Sequence, residues 1–191
     1  GVSLIILRAP LNQVGVPVHI LLRAVLDSNT TAEALQRLSS APLGTMGHLC
    51  IADRGGNCAP IEIAGSALAY CPLSRSPYVH TNHFITLPIE NPKAAFASSH
   101  CRFDRAAELA RQVEKQSLDE MQRILTDTEN GGHAICHDFV EDDVIVSEGT
   151  LSAVICEPTH RRIHICPGSP LGHSFECYEL HEHGAEPHIS L

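Results

Sequence analysis

Two pairs of helical segments interrupt a series of short apolar runs, and that order is the tightest constraint this chain places on its own fold. "VSLIILR" (2–8) has the Ile/Leu run of a buried strand. Pro17 sits where proline opens a helix at its first position, and Val18, Leu21, Leu22 and Val25 form an i, i+3, i+4, i+7 stripe behind it. "TTAEALQRLSS" (30–40) predicts a second helix, with Thr30 and Glu33 as a capping box. A group of strands follows: "HLCIADRGGNCAPIEIAG" (48–65) reads as a hairpin about Gly55–Gly56–Asn57, then come "ALAYCPL" (67–73) and "YVHTNHF" (78–84). "NPKAAFASSH" (91–100) reads as loop. "CRFDRAAELARQVEKQ" (101–116) predicts a helix with Phe103, Ala106, Ala107, Ala110 and Val113 on one face. "SLDEMQRILTD" (117–127) predicts another, opened by a second capping box of Ser117 and Glu120. A hairpin of "TLSAVICEP" and "RRIHICPG" and a last strand in "HSFECYEL" close the pattern. Strand groups separated by helix pairs predict an α+β fold, with helix layers on antiparallel sheets.

No internal repeat or linker divides the 191 residues, so a single domain over 1–191 is expected. That length buries a core without disulfide or metal staples. Aromatic residues are 4% and tryptophan is absent, so the core must be aliphatic. The net charge of −9, from 13 basic and 22 acidic residues, argues against nucleic acid as a partner. No apolar run approaches the ~18–20 residues of a membrane span, and no signal peptide stands at the start. The eight cysteines contain no CxxC pair. Cys50, Cys136, Cys156 and Cys166 stand in apolar contexts and read as small buried hydrophobes, which favours a reducing compartment and a cytoplasmic location. Cys58, after Asn57, reads as structural.

Phosphate-cradling glycine loops, HExxH and GxSxG are all absent from the sequence. Thirteen histidines invite a metal reading, but the clusters suit it poorly. His80 and His83, at i and i+3, would face opposite sides of a strand. His181, His183 and His188 lie in a polar tail with glycine and proline. No metal or other cofactor is expected. Asn82, between those two histidines in "VHTNH", has two readings. A side-chain amide at a strand end can donate to the oxygen that turns negative when an amide or thioester carbonyl is attacked. It can equally satisfy backbone groups in a turn.

Several stretches resemble, in register, the acyl-coenzyme A:6-aminopenicillanic acid acyltransferase (isopenicillin N acyltransferase-like) family. They are "GVPVHILLRAVLDSNTTAEAL", "HLCIADRGGNCAPIEIA" with its Glu62, "VHTNHF", "SSHCRFDRAAEL", and "AICHD" followed by "GTLSAVICEPTHRRIHICPGSP". The resemblance implies an N-terminal-nucleophile hydrolase with a four-layer αββα sandwich, here incomplete at its N-terminus. It implies a precursor that cuts itself at a Gly–Cys bond and frees a cysteine that is nucleophile and, through its own amine, base. That thiol would attack an amide or acyl thioester, form an acyl-enzyme, and pass the acyl group to an amine or water. The oxyanion role carries over to Asn82; His80 and His83 are implied as supporting residues that shape its loop.

No cysteine in the chain follows a glycine, and none stands at position 1. Where the resemblance implies an arginine before the "TL" strand, the chain reads Ser147 and Glu148. The nucleophile is therefore expected outside these residues, on an N-terminal segment or subunit that would be the chain's partner. The opening Gly1, already in a strand, fits a processed or truncated piece. The alternative is a catalytically inactive remnant serving as a binding module or partner subunit.

Overall fold

The computed structural model describes residues 1–8, 14–73, 77–89, 98–138 and 149–181. Four strands, β1 (Val2–Ile6), β2 (Met46–Ala52), β3 (Cys58–Ala64) and β4 (Ala67–Tyr70), form one antiparallel sheet in that order. The helices α1 (Val18–Leu26) and α2 (Thr31–Ser40) cross from β1 to β2 and pack on the sheet. Then come α3 (Ser99–Arg111) and α4 (Leu118–Leu125), and a second antiparallel sheet of β5 (Ala153–Glu157), β6 (Arg162–Cys166) and β7 (Glu176–Glu179). The fold is α+β.

Local chemistry accounts for most element boundaries. The Thr30 hydroxyl accepts from the Glu33 N–H at 3.1 Å, as a capping box requires. The return bond is shifted by one residue, with the Glu33 carboxylate accepting from the Asn29 N–H. Ser117 caps α4 by accepting from the Glu120 N–H. Pro17 falls one position earlier than expected, at the cap rather than inside the helix, and its carbonyl accepts from Ile20 and Leu21. The β2–β3 turn needs a left-handed residue, and Gly56 supplies it at φ 84°. The Asp53 carboxylate ties that turn to α2 by accepting from the Thr31 and Asn57 N–H groups, which hold it well below the usual carboxylate range.

Alternation gives the first sheet two unlike faces. Leu49 and Ile51 of β2 pair in register with Ile61 and Ala59 of β3. With Ile63, they meet Leu21, Val25, Ala34 and Leu38 of the two helices in the main core. Each such side chain stabilises the fold by about 1.5–3 kcal/mol through burial. The other face carries His48 opposite Glu62 and Cys50 opposite Pro60. It is covered by the segment 77–89.

That segment corrects one expectation. "YVHTNHF" forms no strand. Its side chains are bonded to four different elements, and just beyond it the N–H groups of Ile85, Thr86 and Leu87 donate to a carboxylate instead of a ladder. The helix α3 also begins two residues before the expected Cys101, at a fully buried Ser99, and its buried apolar positions are Leu109 and Ala110. Burial of the cysteines is only partly as expected. Cys71, Cys136 and Cys166 are buried and Cys50 is half-buried, while Cys58, Cys101, Cys156 and Cys177 are exposed. Cys156 faces out because alternation in β5 turns Ala153 and Ile155 inward. Ser147, Glu148, His183 and His188 lie outside the described residues. No helix among the described residues is long and apolar enough to cross a membrane.

Candidate active site

Glu62 organises the polar face of the first sheet. It is 0% exposed in the middle of β3. Its carboxylate accepts from the N–H groups of Ile85 (2.6 Å), Thr86 (3.0 Å) and Leu87 (2.7 Å), and lies 2.9 Å from His80 Nε2. Burial pushes this carboxyl up, but the bonds from His80 and the three amides outweigh it and hold it below the usual carboxylate range. His80 also places Nδ1 at 2.6 Å from the Thr81 carbonyl oxygen. Both of its partners, a carbonyl and a carboxylate, are acceptors.

His48 lies flat against His80, ring centres 3.9 Å apart. Its Nε2 is 3.2 Å from the Tyr78 hydroxyl, and its buried Nδ1 has no hydrogen-bond partner among the described residues. Burial first, then the neighbouring His80, pull the His48 ring down to about 3, so it stays neutral. His80 is thereby clamped between β2 and β3 on one side and its own loop on the other.

His83 turns the other way. Its Nδ1 lies 2.8 Å from Ser99 Oγ and 3.2 Å from Thr81 Oγ1, and its ring stacks on His100 at 3.9 Å. Burial and then His100 lower its affinity for a proton. Thr81 Oγ1 donates to the Ser99 carbonyl at 2.9 Å. The two histidines thus pin one loop to two elements, His80 to β3 and His83 to α3. They do not converge on one point, and no group of three or more His, Cys, Asp or Glu among the described residues could hold a metal ion.

Asn82 stands between those two anchors. Its Nδ2 donates to the carbonyl of Ile6, at the end of β1, at 3.0 Å. Its Oδ1 accepts from Arg102 Nη2 of α3 at 2.8 Å. A guanidinium only donates and a carbonyl only accepts, so the amide's two ends are assigned by their partners. Arg102 is itself braced, with Nε donating to Ser98 Oγ. Asn82 opens on a cleft of about 390 Å³ whose polar lining includes Ser98, Arg102, His137, Thr150 and Ser152. The far wall is tied together where the Thr150 N–H donates to the His137 carbonyl and the His137 N–H donates to the Thr150 hydroxyl. A side-chain amide of set direction in the lining of a small polar cleft is a type of group that can stabilise developing negative charge on an oxygen.

Sequence reasoning singled out Asn82, His80 and His83, and the structure brings all three into one loop. It assigned no role to Glu62, Arg102, His48 or Ser99. Glu62 carried a signal in "PIEIAG": a lone carboxylate between isoleucines of a strand whose neighbours are all apolar demands buried partners.

The model of the acyl-coenzyme A:6-aminopenicillanic acid acyl-transferase family matches residues 4–171, and the chain belongs to that family. No curated protein matches the chain. Family membership supports acyltransferase or hydrolase activity as the broad class.

Proposed function

We propose that this chain belongs to a C–N amide hydrolase or acyltransferase that works through a cysteine N-terminal nucleophile, and that Asn82 stabilises the oxyanion. The nucleophile is carried on a segment or subunit upstream of these residues, which is the chain's partner. In the proposed reaction the thiolate attacks the carbonyl carbon of a small amide or acyl thioester. The carbonyl oxygen, now negative, accepts from Asn82 Nδ2. Collapse of the intermediate expels the amine or thiol with a proton from the N-terminal ammonium, and water or an amine then releases the acyl group from the enzyme sulfur. His80 and His83 act only by holding the loop. Arg102 acts on Asn82 as a positioning residue, setting the direction of the amide.

The observation that carries this reading is the fixed orientation of Asn82, with oxygen toward Arg102 and nitrogen toward the Ile6 carbonyl, in a residue that lines the cleft. Two antiparallel sheets with α1 and α2 on the first and α4 against the second support the αββα layering of N-terminal-nucleophile hydrolases, within one domain over 1–191. Eight free thiols support a cytoplasmic setting. The sequence's acidic balance supports a small-molecule substrate over a nucleic acid, with no role for a membrane or a cofactor.

The test is Asn82→Ala in the protein that carries its cysteine-led segment. The expected loss is about 10²–10³-fold in kcat, with the unfolding midpoint nearly unchanged. An unaltered kcat removes the assigned role. A protein isolated without any upstream cysteine, and not labelled by thiol-directed acyl probes, would instead be the inactive binding module.

A further inference from the structure

The polar face of the first sheet holds a feature the acyl-transfer reading does not use. Cys50 of β2 and Cys58 of β3 bring their sulfur atoms to 3.5 Å. The register explains the approach. Cys50 lies opposite Pro60 and Cys58 opposite Ala52, so the two cysteines are diagonal neighbours on the same side of one hairpin. Closing from contact to the ~2.05 Å of a disulfide bond takes side-chain rotation and a small approach of the two strands. Diagonal positions stand near the outer reach of that bond, so a disulfide formed here is strained and easily reduced.

Access is unequal. Cys58 is exposed and borders a groove of about 590 Å³ that Asp53 and Asn57 also line, while Cys50 is half-buried. A third thiol, Cys71, is buried. Its N–H donates to the Pro60 carbonyl, which puts it on the far side of Pro60 from Cys50.

We infer that Cys50 and Cys58 form a reversible disulfide, with Cys58 as the site where a peroxide-class oxidant enters and Cys50 as the resolving thiol. In the first step the Cys58 thiolate attacks one peroxide oxygen, the O–O bond breaks, and Cys58 becomes a sulfenic acid with release of hydroxide. In the second the Cys50 sulfur attacks the Cys58 sulfur, and the hydroxyl leaves as water with the Cys50 proton. Two thiols and one peroxide become one disulfide and two waters.

The order of events follows from the surroundings. Burial, and then the adjacent Cys58 thiolate, push the Cys50 thiol up to about 12, so it is a poor first nucleophile. Once Cys58 is a neutral sulfenic acid, that second cause is gone and Cys50 is freer to react.

The test uses the full chain and hydrogen peroxide, followed by acid quenching, unfolding, alkylation and peptide mapping without reductant. The expected product is a peptide pair joined through Cys50 and Cys58 and released by dithiothreitol. These two thiols should be lost about tenfold faster than the exposed Cys101, Cys156 and Cys177, which serve as internal controls for simple exposure. Under the same treatment Cys58→Ser should leave Cys50 alkylatable. Four results would overturn the inference: Cys58 driven to a sulfinic acid while Cys50 stays reduced, a Cys58–Cys71 link, equal loss at all exposed thiols, or oxidation of Cys50 in the Cys58→Ser protein.

Discussion

The two faces of the first sheet are built from alternate residues of the same two strands, yet they hold different things. Leu49, Ile51, Ile61 and Ile63 face α1 and α2, where any close-packed aliphatic set of the right volume would serve. His48 and Glu62 face the loop 77–89, where the Glu62 carboxylate and His48 Nε2 have named partners and His48 Nδ1 has none among the described residues. The apolar face joins layers. The polar face positions one loop, and through it Asn82. Burial is equally complete at the centre of both faces, with Ile61 and Glu62 each 0% exposed. What differs is the consequence of error: a lost methylene leaves a cavity, whereas a lost acceptor leaves four donors facing nothing.

Glu62→Gln should separate the faces most sharply. Three backbone amides and His80 all donate to this side chain, so the amide nitrogen of glutamine would confront a donor. The expected loss is about 3–5 kcal/mol in urea unfolding. Hydrogen exchange should show the amides of 85–87 opening while α1 and α2 stay protected. Leu38→Ala, on the other side of the sheet, should cost about 3 kcal/mol and raise exchange in the helices and the sheet together. If both variants open the same set of amides, the faces do not act separately.

Of the two faces, acid should strike the polar one, with a smaller effect. His48 titrates at about 3 in the fold against 6.5 ordinarily, so the native state refuses a proton that the unfolded chain accepts. Its contribution is complete above 6.5 and is lost as pH falls toward 3, about 2 kcal/mol of it by pH ~5. Glu62, held below its ordinary 4.5, has the same sign: its contribution is present above 4.5 and disappears as pH falls through its lower native value. The urea midpoint should therefore drop between pH ~6.5 and ~5, and His48→Gln should flatten that limb. An unchanged slope in His48→Gln would mean that other groups carry the acid sensitivity.

Relations within a few residues were legible in the sequence. The caps at Thr30 and Ser117 join atoms three residues apart, and the structure contains both. The α1 stripe, the hairpin at Gly56 and the β5–β6 hairpin are likewise local, because a period of 3.6, a period of 2 or a left-handed turn is written in neighbouring side chains. The candidate amide was legible as a residue type in a recognisable motif, though not in its orientation.

What tertiary structure decided was where the long-range polar bonds go. A strand reading of "YVHTNHF" followed its apolar and β-branched residues, but those residues do not reveal that Glu62 lies 23 to 25 positions away to take the amides of Ile85, Thr86 and Leu87. The partners of Asn82, Ile6 and Arg102, are 76 and 20 positions distant. Cys50 and Cys58 are close because of a ladder register, and Cys156 is exposed because of another. The sequence by itself determined the elements and the chemical groups they carry, since those depend on local sterics and periodicity. The tertiary fold alone decided which buried donor meets which acceptor, because an unpaired polar group costs the same wherever its partner lies along the chain.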